Sequence, residues 1–460
     1  MQYRTETDFL GAVQVPVEAY LGVHTQRAVE NFPLSGLKVH PALVRGFAQV
    51  KKACCLANRE LGLLEKSRAD AILRACDEII AGGFRGEFPV DALQGGAGTS
   101  TNMNVNEVIA NRAIELLGGA RGEYTRVNPI EHVNLNQSTN DTYPTALKVS
   151  AIAGLRRLAQ SIAALQGAFQ VKEKEFAGIV AIGRTELQEA VPITLGAEFS
   201  GFAEAFSRDR WRTFKCEERL RTVNLGGTAV GTGICAPRSY IFLVIEKLRD
   251  VTGLGLARGE NLLDQTANAD CFVEVSGMLK AHAASLMKIC HDLRILNLLG
   301  EIRVPGLQAG SSIMPGKVNP VLLEAAIQVG MKVMANDFLV AESSSRGSLQ
   351  INEFLPLLGS SLLESLDLLA AVDSLLAPHV AALQADEKIC RLHFEKSPMI
   401  VTALLPHIGY EKATLLIEEF FAGGRDNLRD FLAEKLGNTL VDSAFSPHAL
   451  TSLGYKDGHS

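Results

Sequence analysis

A chain of 460 residues that is 47% hydrophobic is long enough to fill two or three cores rather than one, so it reads as a multidomain globular protein. Its net charge of −6 comes from near-balanced acids and bases with no long basic run, which argues against a nucleic-acid or anionic-membrane surface and for a small ligand. Eight cysteines without C-x-x-C spacing or histidine partners suggest neither a zinc site nor a disulfide framework, and are expected to be buried thiols.

The N-terminus, MQYRTETDFLG, carries charge where a signal peptide needs an apolar core. No apolar run comes near the roughly 20 residues of a membrane helix, so a cytoplasmic protein is expected. Residues 1 to 40 hold Pro16, Gly22 and Pro33 among short mixed segments and predict a loop-rich entry region. From Val44 to Leu63 and from Lys66 to Ile80 apolar residues recur at three- and four-residue intervals, which predicts a small helical domain over residues 1–135. Within it, QGGAGTSTNMNVNEVIANRAIELL (94–117) is a glycine-rich polar turn leading into an amphipathic helix. Thr99, Ser100, Thr101 and Asn102 place four short hydrogen-bonding side chains beside its first amides.

HVNLNQSTNDTYPTAL (132–147) repeats that design, with Gln137, Ser138, Thr139, Asn140 and Asp141 ahead of a helix. Leu155, Leu158, Ile162, Leu165 and Phe169 then step by three and four, as a bundle seam does. The proline-free reaches 238–304 and 321–355 predict further very long helices, so residues 136–389 read as a central bundle. Thirty helical residues span about 45 Å, more than one compact domain needs, which predicts an oligomer. Beyond Pro378 the pattern shortens, and residues 390–460 are assigned to a small C-terminal helical domain.

GSSIMPGKVNP (310–320) packs two glycines, two adjacent hydroxyls and a lysine into a loop feeding a helix. Asn319 is expected to cap that helix, with Pro320 at its first position, leaving Lys317 and the orphan amides at one electropositive end suited to an anion. The run is not a nucleotide P-loop, because Lys317 is followed by Val318 rather than Ser or Thr. It resembles the signature loop of the aspartase/fumarase superfamily, enzymes that eliminate ammonia, water or an amine from a succinate skeleton to give fumarate. AYLGVHTQRAVENFP, QGGAGTSTNMNVNEVIANR, HVNLNQSTNDTYPTA, GRTELQEAVPITLGAEF, VNLGGTAVGTG and SLQINEF resemble other segments of that superfamily, in its order.

The resemblance implies a mainly α, three-domain subunit with a central bundle of very long helices, and a homotetramer whose active sites are each shared between subunits. It implies that Ser311 is the general base and that Lys317 and Asn319 hold a substrate carboxylate. Thr99, Ser138, Thr139, Asn140 and Thr185 would surround the dicarboxylate and leaving group, with Ser312 beside them. No metal or organic cofactor is implied. Deprotonating a carbon beside a carboxylate produces a dianionic enediolate, so a cation and neutral donors concentrated there fit the chemistry. TNMNVNEV, QSTNDTYPTA and LQAGSS look more like the aspartate ammonia-lyases than the fumarases, which leaves malate dehydration as the second reading. A catalytically inactive structural paralogue is a third, against which intact Ser311, Lys317 and Asn319 stand. Two departures bear on the substrate. Glu186 stands where the family has histidine or glutamine, facing the position matched by Glu324, and LRILNLLGEIRVPGLQAGSS lacks several residues of the usual segment before the signature loop.

Overall fold

The structure, a computed structural model, describes residues 2–455. Instead of the expected loops, the chain opens with an antiparallel hairpin of β1 (Tyr3–Asp8) and β2 (Gly11–Pro16). Its tight turn uses Gly11 at a φ of +118°, a conformation glycine adopts without steric cost. Helices α1 (Val23–Asn31), α2 (Pro41–Glu60), α3 (Lys66–Ile80) and α4 (Thr99–Leu116) follow, and the segment 94–98 is the polar turn foreseen before α4. Next come α5 (Thr139–Glu175), a second hairpin of β3 (Val180–Thr185) and β4 (Gln188–Thr194), and α6 (Leu195–Leu220). The proline-free reach from 238 is broken into α7 (Arg238–Thr252), α8 (Leu262–Ala267) and α9 (Asp270–Leu298). Gly253, at a φ of +67°, stops α7, and the Asn261 side chain caps α8. α10 (Val321–Ser345), α11 (Leu355–Ala381) and α12 (Glu387–Lys396) follow, ahead of shorter C-terminal helices that include Tyr410–Ala422.

The chain forms two compact units, each discontinuous in sequence. One comprises residues up to Ala159, Arg212–Ala281 and Met331–Leu369; the other comprises Gln160–Trp211, His282–Gly330 and the chain from Ala370 onward. Each of α5, α6, α9, α10 and α11 contributes residues to both. All five residues of the seam expected on α5 are buried, and burial of each such side chain contributes about 1.5–3 kcal/mol.

In the second unit Phe169 stacks on Phe206 at 5.4 Å and lies 5.9 Å from Phe199. Beside Phe206, fully buried His282 bridges Asp209 (3.2 Å) and Asp373 (2.9 Å). Burial alone would lower its basicity, but the carboxylates of Asp373 and Asp209 outweigh that and hold it up at about 10, so imidazolium ties α6, α9 and α11 together. A separate apolar cluster joins Phe394, Ile400, Phe420, Phe431 and Leu432 of the C-terminal elements to Ile182 of β3. That contact seats the β3–β4 hairpin.

Two sequence expectations change. α11 is long and apolar enough to cross a membrane, contrary to the expectation that no stretch is, and 67% of its most apolar window is buried inside the protein. Six cysteines are buried as foreseen, but Cys235 is exposed and Cys271 is half-buried.

Candidate active site

In the first unit the two polar loops meet at the starts of α4 and α5. Ala97 and Gly98 both have positive φ, +54° and +88°. Gly98 is required twice over, since a Cβ there would overlap the Tyr143 ring. Gln94 Oε1 accepts from the Thr101 amide (3.0 Å) and hydroxyl (2.9 Å), fixing the turn to the helix. Asn102 Nδ2 donates to Thr139 Oγ1 and to Asn134 Oδ1, both at 3.2 Å. The first turns of an 18-residue and a 37-residue helix therefore adjoin, and both present the positive ends of their dipoles. Thr99 is exposed there, Ser138 and Asn140 are half-buried, and Thr139 is buried.

The floor is a network of buried polar groups. Fully buried Lys51 donates to Asn134 Oδ1 (2.9 Å) and Gln137 Oε1 (2.8 Å), and burial pulls its ammonium down to about 8. Asp141 accepts from the amides of Ser138 (2.9 Å), Gly226 (3.1 Å) and Thr228 (3.0 Å). Burial pushes its carboxyl up to about 7 despite those three amides. Pro144 lies inside α5 and cannot donate to the Asn140 carbonyl. Asn224 Nδ2 donates to that carbonyl instead, at 2.9 Å, while Asn140 Nδ2 donates to the Ala229 carbonyl at 2.7 Å. The VNLGGTAVGTG segment thus braces the 138–141 loop. Lys51, Asp141 and Asn224 were not singled out for these roles, because a lysine in an amphipathic helix and an asparagine beside glycines have ordinary structural readings.

In the second unit the 310–320 loop is pinned at its base. The Gly310 amide donates to the Lys317 carbonyl (2.7 Å), and Asn319 Nδ2 donates to the Gly310 carbonyl (3.0 Å). Asn319 therefore closes the loop rather than capping the helix. The Pro320 carbonyl accepts from Leu323 and Glu324, which makes Pro320 the flanking residue of α10 and Val321 its first. Ser311 Oγ accepts from the amides of Ile313 (3.2 Å) and Met314 (2.9 Å). Ser312, Ile313 and Lys317 are exposed, and the Lys317 ammonium has no hydrogen bond or ion pair among the described residues.

Thr185 and Gln188 close the β3–β4 hairpin, leaving Glu186 and Leu187 as a two-residue turn at φ of +52° and +60°. Both are in the left-handed region where such turns favour Asn-Gly. Thr185 and Glu186 are exposed. Arg184 turns from Glu186 to buried Glu301, holding it through both terminal nitrogens at 2.9 and 2.6 Å, and His393 reaches the same carboxylate at 2.7 Å. Glu186 lines a cavity of about 560 Å³ with Arg184, Glu198, Lys288 and Asp292. Burial, reinforced by Asp292 and Glu301, pushes Glu198 up to about 7. Within one chain Glu324 lies 3.7 Å from Arg294.

Comparison with known proteins bears on these loops. A family profile described as lyase matches residues 11–335. Aspartate ammonia-lyase of Helicobacter pylori (strain ATCC 700392 / 26695) is 44% identical over 459 residues, covering 98% of each protein. Aspartate ammonia-lyase of Escherichia coli (strain K12) is 42% identical over 464 residues, covering 98% of this chain and 97% of that protein. Among solved structures, the fumarate lyase:delta crystallin from Brucella melitensis bound to cobalt superposes with a TM-score of 0.93 at 43% identity, covering 97% of this chain and 99% of that one. The class II fumarase from Schistosoma mansoni superposes with a TM-score of 0.91 at 32% identity, covering 98% and 99%.

Proposed function

Since the chain belongs to the aspartase/fumarase superfamily of lyases, we propose that it eliminates ammonia, or a substituted amine, from aspartate or an N-substituted aspartate to give fumarate. Ser311, as its alkoxide, takes the proton from the carbon beside one carboxylate. The carbon's electron pair moves into that carboxylate as an enediolate, then returns to form the carbon–carbon double bond as the carbon–nitrogen bond breaks and the amine leaves. The observation that carries this reading is the pair of backbone amides donating to Ser311 Oγ, since two such donors lower the cost of an alkoxide. Lys317 supplies the cation for the carboxylate whose charge grows, with Asn319 and Ser312 beside it. Thr99, Ser138, Thr139 and Asn140 supply neutral donors at two helix starts, and Thr185, Glu186 and Glu324 surround the leaving amine.

The exposure of residues 312–318, beside half-buried Ser311, fits a segment that closes over bound substrate and expels water. We assign the three-domain division 1–135, 136–389 and 390–460 and a homotetramer with shared sites on the same family grounds. Exposed Met331 and Phe338 on α10 favour a partner surface there, and a monomeric mass in sedimentation would reject the tetramer. Eight unbridged cysteines fit a reducing, cytoplasmic setting.

A fumarase is the second reading, favoured by the class II fumarase likeness. The ultraviolet absorbance of fumarate formed from aspartate or from malate separates the two. Turnover of aspartate with little or none of malate is expected. The reverse preference would make the protein a hydratase.

A further inference from the structure

The first unit holds a cavity of about 370 Å³ between the start of α2 and the end of α3, lined by none of the residues assigned to catalysis. Its floor is apolar: Val39, Val44, Ile79 and Phe88 line it, each at most 9% exposed. Its rim is cationic, carrying Lys38, Arg45 and Arg85. Among the described residues no carboxylate lines it, although the whole chain is acidic.

Among the described residues none of the three cationic side chains makes an ion pair or a hydrogen bond, whereas nearby Arg59 is held by Asp70 and Arg112 by Glu78 and Glu115. The local backbone aims Arg85 at the rim. Gly82 has a φ of +94°, and a Cβ built there would stand 3.6 Å from Arg85 Nη2, so the guanidinium lies close over bare backbone. Phe84, the residue before Arg85, is itself held at a φ of +59°, a conformation unusual for a bulky side chain. Three cations around an apolar floor form a potential well that a small neutral or cationic molecule does not exploit. The volume lies within the about 300–1,000 Å³ of small-molecule sites.

We propose that this pocket binds a small amphiphilic anion, an aromatic or branched apolar body bearing a carboxylate or phosphate, with the body on Val44, Ile79 and Phe88 and the anionic head between Arg45, Arg85 and Lys38. The proposal is independent of the lyase reading. It is tested by calorimetric titration of the full-length protein with 1-naphthoate, 1-naphthyl phosphate and neutral 1-naphthalenemethanol, each with and without excess fumarate. Both anions, or one of them, should bind at least tenfold more tightly than the alcohol, and the preferred anion identifies the head group.

Arg45→Glu with Arg85→Glu, two exposed positions whose reversal should leave the unfolding midpoint unchanged, should weaken that binding at least tenfold. Val44→Phe, which fills the floor and leaves the charges, should weaken it independently. Equal affinity for the alcohol, displacement by fumarate, or unaltered binding in the charge-reversed variant would each overturn the proposal, as would no binding of either anion at millimolar concentration.

Discussion

Replacing Lys51 with methionine keeps the volume and removes the charge and the donors, so it isolates the group beneath the 134–141 loop. The interval between 10.5 and about 8 corresponds to about 3 kcal/mol, the cost of holding this ammonium buried. Set against it, Asn134 Oδ1 and Gln137 Oε1 would lose their donor, at about 1–3 kcal/mol for each buried oxygen left unsatisfied. Two such oxygens cost about 2–6 kcal/mol together, so at about pH 7 the variant should lie between about 1 kcal/mol more stable and about 3 kcal/mol less stable than wild type. The pH dependence is sharper. Below about pH 8 the lysine is protonated in both folded and unfolded chains and the cost is fully present. Between about 8 and 10.5 the folded protein gives up its proton first, so wild-type stability gains on the variant as pH rises. The deficit of Lys51→Met should widen by about 2 kcal/mol between about pH 8 and 9.5. Buried thiols titrate in the same range, and Cys54 and Cys76 feel the Lys51 charge, so the comparison is made with both cysteines replaced by alanine in each protein. Urea unfolding at matched protein concentration across that range is the assay. A deficit independent of pH would refute the reasoning, because the burial cost would then not reside on Lys51.

The Arg184–Glu301 pair supports the hairpin that carries Thr185, and Glu301 is only 1% exposed. Arg184→Met alone should cost about 3–5 kcal/mol by leaving a buried charge, and adding Glu301→Gln should recover part of it. Simple additivity in unfolding measurements would show that the two do not interact. Glu186→Gln should raise ammonia release from aspartate and weaken the reaction with a more cationic N-substituted aspartate, both read as fumarate formation, and an unchanged profile would remove Glu186 from substrate choice. Glu186→Asn with Leu187→Gly suits the turn's two positive φ values, and should raise stability by about 1 kcal/mol in the same unfolding assay. No gain would show that the turn carries no strain.

The two helix-start loops were legible because glycines and short polar residues can do little else at such density, and α4 and α5 begin at Thr99 and Thr139 where those runs lead. The serine loop was legible for the same reason. Its internal pinning was not, since the Asn319 amide suits either a cap or a loop closure, and only the approach of Gly310 to Asn319 decides between them. The β3–β4 hairpin escaped notice because VAIGRT and QEAVPIT alternate weakly, and because the turn residues Glu186 and Leu187 give no turn signal. What seats that hairpin is tertiary: Ile182 belongs to a cluster whose other members begin at Phe394, far beyond any local pattern. Lys51 was invisible for a related reason. It sits beside Lys52, whose ammonium reaches Asp77 near the surface, and nothing in the sequence says which of the two points inward.

Ser311 is the proton acceptor of the proposed elimination, and the rate of fumarate formation from aspartate by Ser311→Ala tests that role directly. The side chain lies in a solvent-facing loop and, among the described residues, its hydrogen bonds are those from Ile313 and Met314, so the variant should keep its unfolding midpoint and assembly. It should lose at least about a thousandfold in kcat, equivalent to about 4 kcal/mol of transition-state stabilisation. Retention of more than about a tenth of the wild-type rate, a loss below about 1.4 kcal/mol, in a protein of unaltered fold would contradict the assignment.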